Sequence, residues 1–278
     1  MTVALANVGR HGRMELTFGV RDGRTIIRDS YCEVPFKIMR PFRSALPEAA
    51  HLILMHCTAG VFGGDELECS IHIESGARVR VTQQAATRVH PSENRLAHQS
   101  LRILVEAGAS LYVDLEPVIP FARSRYLQET KIDVQRGGTL AYWECMMAGR
   151  IGSREEWEFE EFGSETRLNL DGHTIFLDRY LLRPAVMNMH SRWVMGNATY
   201  VGTGLYCGAD IEQITEALHE AMPSAGVDIV DRALSVTRLT ENHGPDFHRL
   251  RRVWNEVAHR LSDGTSSRGS DSKHRARS

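Results

Sequence analysis

Apolar and polar positions alternate with period two over most of the chain. From Ile71 to Val81 the apolar set is Ile71, Ile73, Ala77, Val79 and Val81, broken at Gly76. The same arrangement recurs from Ile103 to Val113 around Gly108, and from Ile132 to Tyr142 around Gly137. Alternation of this kind marks strands with one buried face, and glycine supplies the positive φ that a tight turn requires. The three turn glycines, at 76, 108 and 137, are spaced by 32 and then 29 residues. A weaker fourth copy runs from Leu168 to Leu177 around Asp171-Gly172, and Asp22-Gly23 joins Leu16-Thr17-Phe18 to Thr25-Ile26-Ile27. Asp-Gly between two alternating runs is a two-residue hairpin signal. A strand repeat near thirty residues predicts stacked coils, because one coil cannot bury its own apolar face. The fold expected is mainly β, β-helical or built of layered sheets of repeated hairpins; unrelated hairpins in a sandwich are the competing arrangement.

Toward the C-terminus the period changes to that of a helix. Asp210 to Met222 has an acidic cap, apolar residues at helical spacing and a terminating Pro223. Pro245 opens a second helix in which Phe247, Leu250, Val253, Trp254, Val257 and Leu261 form one apolar stripe. Arg249, Arg251, Arg252 and Glu256 are assigned to its other face. From Ser262 onward the chain offers nothing to bury, so residues 263–278 are expected to be a disordered tail on a single β-rich domain spanning 1–262.

Charge and cysteine usage narrow the setting. A formal net charge of -2 over 278 residues gives no reason to expect a nucleic-acid or anionic-membrane partner. Lys37, Lys131 and Lys273 are the only lysines; the arginine excess suits planar carboxylate pairing, and GC-rich coding produces the same skew. The five cysteines are odd in number and irregular in spacing, as expected of reduced thiols in a reducing compartment. The first residues show no basic stretch followed by an apolar one, and the longest apolar runs, such as Leu52 to Met55, are far too short for a bilayer. The expectation is a cytoplasmic protein.

The familiar catalytic motifs are absent. There is no G-x-x-x-x-G-K-[ST], no G-x-G-x-x-G opening a helix, no G-x-S-x-G, and no C-x-x-C or H-E-x-x-H. Cys69-x-x-His72 is divided by strand alternation, which puts the two side chains on opposite faces. In the acidic run Glu155 to Glu161, alternation sends Trp157 and Phe159 inward from a solvated strand face. Three carboxylates at strand-to-turn positions remain: Asp65, Glu116 and Glu144. Equivalent positions in successive coils stack, so these acids are candidates for a line of oxygen ligands that passes a cation without caging it. Surface acids satisfied by nearby arginines are the plainer alternative.

At Thr58-Ala59-Gly60-Val61-Phe62-Gly63-Gly64-Asp65 the chain begins to resemble the urease accessory protein family called UreD or UreH. The resemblance continues through Gly76-Ala77, Thr82 to Val89, Glu116 to Phe121, Trp143-Glu144, Gly149-Arg150, Leu177-Asp178-Arg179 and Val253 to Glu256. It implies a β-helical or layered-sheet scaffold that is not an enzyme and holds no tight cofactor. It also implies the partners: a helical accessory protein, UreF, a nickel-carrying GTPase, UreG, and apo-urease, with transient nickel transfer to the urease metallocentre. The residues alone also admit a carbohydrate-active enzyme using Glu144 and Asp65 as acid and base, or a structural repeat protein without a ligand.

Overall fold

Strands with one apolar face must bury it against a second layer, and here two sheets face each other. A computed structural model describes residues 9–39, 41–43 and 48–262. The proposed tail beyond 262 lies outside the described residues. Strands β1 (His11–Arg21) and β2 (Arg24–Cys32) form an antiparallel hairpin. The two-residue strands β3 (Phe36–Lys37) and β4 (Phe42–Arg43) pair with β5 (Ala50–His56). Then come the coils. The first is β6 (Glu66–Ile73), β7 (Arg78–Gln83) and β8 (Thr87–Val89). The second is β9 (Ala97–Val105), β10 (Ser110–Asp114) and β11 (Val118–Pro120). The third is β12 (Arg125–Val134) and β13 (Thr139–Met147), followed by a 3-10 turn at Ile151–Ser153. The hairpin β14 (Glu161–Leu170) and β15 (His173–Leu182) closes the stack. The chain ends with β16 (Tyr200–Cys207), α1 (Ile211–Ala221), β17 (Gly226–Val230), β18 (Leu234–Glu241) and α2 (Gly244–Ser262).

One sheet has the order β15-β14-β12-β9-β6-β1-β2; the other runs β17-β18-β16-β13-β10-β7-β5-β3, with β4, β8 and β11 branching from it. The coils stack in parallel, in the register the repeat predicts. Leu16, Ile71, Ile103, Ile132 and Leu168 form one ladder of paired positions. Ala50, Val79, Leu111 and Leu140 form the facing one, and all nine side chains are buried in the intersheet core.

Turn chemistry decides where the chain goes next. At Gly76, Gly108 and Gly137 a single residue takes positive φ, at 77°, 74° and 88°, and the chain crosses to the other sheet. The strands flanking these glycines therefore do not pair with each other, so the repeats are arches between sheets. At Asp22-Gly23 (52°, 72°) and Asp171-Gly172 (48°, 81°) two consecutive residues are left-handed, and the chain reverses within one sheet, as a two-residue hairpin turn does. The fourth repeat is thus a half copy: Leu168 adds a rung beneath Ile132, and Asp171-Gly172 then turns the chain back.

The helices sheathe the outer face of the second sheet. Central strand β13 is covered on both sides: Leu140 and Tyr142 face the intersheet core, while Ala141, Trp143 and Cys145 face the helices. Burial on two faces explains a nearly continuous apolar run in place of alternation. Phe247, Leu250 and Trp254 of α2 are buried there with Ile214 and Leu218 of α1, and the Trp254 indole N–H donates to Thr237 Oγ1 at 3.1 Å. Gly204 on β16 leaves room for that ring: a Cβ there would sit 2.4 Å from Trp254 Nε1 and Cε2.

Two expectations need correction. Arg251 does not lie on the solvent face of α2; it is buried against the β body. The acidic run is irregular up to Glu161, where β14 begins. Trp157 and Phe159 do point inward, but Trp157 sits at φ 57° and Glu155 is buried, accepting from the Ala122 N–H and from Arg150. Left-handed residues at Arg154 and Trp157 break the alternation that a strand needs.

Candidate functional site

Alternation along β13 puts Tyr142 and Glu144 on the same inward face. The Glu144 carboxylate accepts from the Tyr142 hydroxyl and, across the interior, from the Thr166 hydroxyl on β14, both at 2.8 Å. Burial pushes the Glu144 pKa up from the usual carboxylate range, against the pull of these two donors. Burial, and then the charge of Glu144, holds the Tyr142 phenol well above its ordinary value, so it stays a donor. Around this pair the interior is polar. The Tyr126 hydroxyl donates to Gln99 Oε1 at 2.9 Å, Gln128 Nε2 donates to Ser164 Oγ at 3.0 Å, and Tyr142 lies 3.3 Å from Thr130 Oγ1. Arg238 pairs with Asp178 and donates to Thr203 Oγ1, the residue opposite Glu144 on β16.

Of these groups, Gln99, Tyr126, Gln128, Thr130, Tyr142 and Glu144 line a cavity of about 90 Å³ that extends to Glu116 and His56. A cavity needs about 10–15 Å³ to hold one water, so there is room here for several. Glu116 sits at its helix-facing side, where Arg251 of α2 donates to it at 3.0 Å and to Asp114 at 2.8 Å.

Two of the three acids picked from the sequence thus reach one cavity, and the third does not line it. Both Asp65 oxygens accept backbone N–H groups, from Arg10 at 3.0 Å and Phe62 at 2.9 Å, which pins the Gly63-Gly64 turn. Asp65 precedes its coil's first strand and Glu116 follows β10, whereas Glu144 lies within β13 and not after it as the repeat suggested, so the three acids occupy different parts of a coil. Nor do Glu116 and Glu144 form a column, because the 29-residue register of β10 on β13 carries Glu116 towards Cys145. Asp65 and Glu144 do not meet in this cavity as the acid and base of a glycosidase would. Among the described residues, no three His, Cys, Asp or Glu side chains come together to hold a metal ion. Cys69 is buried in the core, whereas His72 bonds Glu106 at 2.8 Å, divided as alternation requires. Tyr142 was legible as a neighbour of Glu144 from the period alone. Thr166, Arg251 and His56 were not, since each arrives by a pairing between distant segments.

The molecule is a two-sheet β-coil protein, helix-covered on one outer face, with a largely apolar cavity between its sheets into which a few polar groups point. The family model for the UreD urease accessory protein matches residues 10–270. Urease accessory protein UreD of Deinococcus radiodurans is 36% identical over 214 residues, which is 75% of this chain and 74% of that protein. The protein of the same name from Acetivibrio thermocellus is 30% identical over 211 residues, 76% of this chain and 80% of the relative. The chain belongs to the UreD urease accessory protein family. No helix among the described residues is long and apolar enough to cross a membrane.

Proposed function

We propose that this chain is a non-catalytic, cytoplasmic scaffold in urease maturation, and that nickel passes through its interior on the way to apo-urease. The partners in this reading are the accessory protein UreF, the GTPase UreG and the urease subunits. The carrying observation is the cavity: a carboxylate buried between two sheets, ringed by hydroxyl and amide groups, beside no closed cage. A conduit must bind weakly enough to release its ion, and spaced oxygen donors meet that requirement where a thiolate cluster does not. Buried carboxylates are retained at a cost in stability, so Glu144 is better accounted for as a functional group than as a packing one.

The test is reconstituted urease activation with purified complexes. Glu144→Ala and Glu116→Ala should lower the nickel content of urease and its activation while the complex with the partners still assembles. Asp65→Ala should act through the loop it pins, lowering assembly and activation together. Full activation by a Glu116→Ala/Glu144→Ala double variant overturns the conduit, and loss of activation only alongside loss of the complex makes these acids structural.

A further inference from the structure

His56, at the end of β5, holds a buried ring nitrogen with no hydrogen-bond partner among the described residues. Its Nε2 has less than 1 Å² of exposed surface and no hydrogen bond. The other nitrogen fixes the proton count. Thr58 Oγ1 lies 2.9 Å from the Gly60 carbonyl oxygen and 2.9 Å from His56 Nδ1. A carbonyl oxygen only accepts, so the single hydroxyl proton of Thr58 goes to Gly60. Thr58 Oγ1 must therefore accept from His56, which places a proton on Nδ1. A second proton, on Nε2, would be a buried donor with no acceptor among the described residues, which disfavours the charged ring. What remains on Nε2 is a bare lone pair. This is the tautomer of a metal-ligating histidine whose other N–H is held by a second group.

The position of His56 gives the lone pair a use. The cavity that holds Glu144 and Glu116 is lined on one side by Leu54, His56, Gln83 and Thr87. The same four residues line a second recess of about 100 Å³, whose other walls come from the segments 58–60 and 84–88. They form the partition between the two spaces, and a 2.8 Å hydrogen bond from Gln83 Nε2 to Thr87 Oγ1 spans part of it. Of these four side chains, His56 alone offers a donor atom that suits a borderline cation.

We propose that His56 is a metal-binding residue at a port between the outer recess and the inner cavity, taking a divalent cation of the Ni²⁺, Co²⁺ and Zn²⁺ class on Nε2. Nε2 is closed to solvent in this conformation, so the ion reaches it as the partition parts, exchanges one water for the imidazole and passes to the oxygen donors beyond. One nitrogen ligand binds such an ion transiently, in keeping with the lack of a three-residue cage. Thr58 is a positioning residue, acting only by holding the tautomer. This inference rests on the nickel-transfer reading and adds to it the place of entry or exit.

The experiment uses the full chain labelled with ¹⁵N-histidine and followed by long-range proton–nitrogen NMR, with His56→Gln supplying the assignment. Without metal, His56 should show a protonated Nδ1 and an unprotonated Nε2. Substoichiometric Ni²⁺ or Co²⁺ should broaden His56 before the exposed His173 and His190. His56→Gln should lose that binding event in equilibrium dialysis, and Thr58→Val should weaken it about 10- to 100-fold with His56 still in place. The opposite tautomer, broadening of His56 no earlier than the surface histidines, or unchanged dialysis of His56→Gln leaves a bound water as the only occupant and overturns the proposal. Co-purification with the urease partners is scored separately, so a failed port with intact assembly refutes His56 alone.

Discussion

Trp254 and Gly204 give the sharpest test of how the helix layer is fitted. The indole is fully buried, and its ring atoms would lie 2.4 Å from any Cβ at residue 204. Gly204→Ala should cost about 1–3 kcal/mol, because a methyl group there collides with a ring that cannot retreat. Trp254→Ala should cost about 3–5 kcal/mol through lost burial and the hole left behind. The two penalties share one volume. With the ring gone, the three atoms nearest the new methyl group are gone too, so the double variant should lie near Trp254→Ala alone. The expected coupling is about 1–3 kcal/mol, well beyond the ~0.5 kcal/mol within which independent sites add. Urea unfolding followed by far-ultraviolet circular dichroism measures all four proteins without relying on the deleted indole. Additive penalties would refute the claim that this glycine exists to admit this ring.

Three further outcomes follow from the arches, the coil contacts and the cavity. Gly137→Val should destabilise by about 1–3 kcal/mol purely through the left-handed backbone, since a Cβ there meets nothing within 4 Å. Gly152→Val, in equally open space without a positive φ, is the control and should cost clearly less in thermal melts. The Glu106 carboxylate bolts one coil to the next, and the Ser75 N–H, then His72, hold its pKa below the usual carboxylate range. A depressed pKa adds stability above the unfolded-state value that is lost as pH falls through the folded one. The gap between wild type and Glu106→Gln should therefore be constant near neutrality and close below the ordinary carboxylate value; a gap independent of pH would reject the bond. Cys69 is buried, which raises its thiol pKa to about 12, so it should resist alkylation in the folded protein at pH 8 while the exposed Cys32 and Cys57 react.

The stack was legible because three successive turns each carry glycine at the one position that must be left-handed, and because Ile71, Ile103 and Ile132 repeat at the stacking register. The same glycines could not say that their flanking strands part company: a single turn sequence fits an arch or a hairpin until the second left-handed residue is counted. Glu144 was visible as an acid in an alternating strand, whereas its burial partner is Thr166, one rung beyond Thr130 in the opposite sheet. Helical periodicity placed the α2 stripe from Phe247 to Val257 correctly and misplaced Arg251, because a wheel sorts residues by hydrophobicity and Arg251 is buried by charge. Its partners, Asp114 and Glu116, lie more than 130 positions earlier. His56 gave no signal, since its meaning comes from a hydroxyl two residues on and a recess built by another strand.

The helix cover has a consequence in time as well as in space. Trp143 waits for Trp254, whose ring packs 5.3 Å from its own, yet 111 residues separate them along the chain. At ~5–20 residues per second of synthesis, the strand bearing Trp143 exists for roughly 6 to 20 seconds before its cover has been made. Through that interval Ala141, Trp143 and Cys145 lack the helix cover that buries them in the finished fold, and β13 also waits for its partner strand β16. The order of the chain thus leaves one apolar face of the second sheet uncovered until α2 has been made.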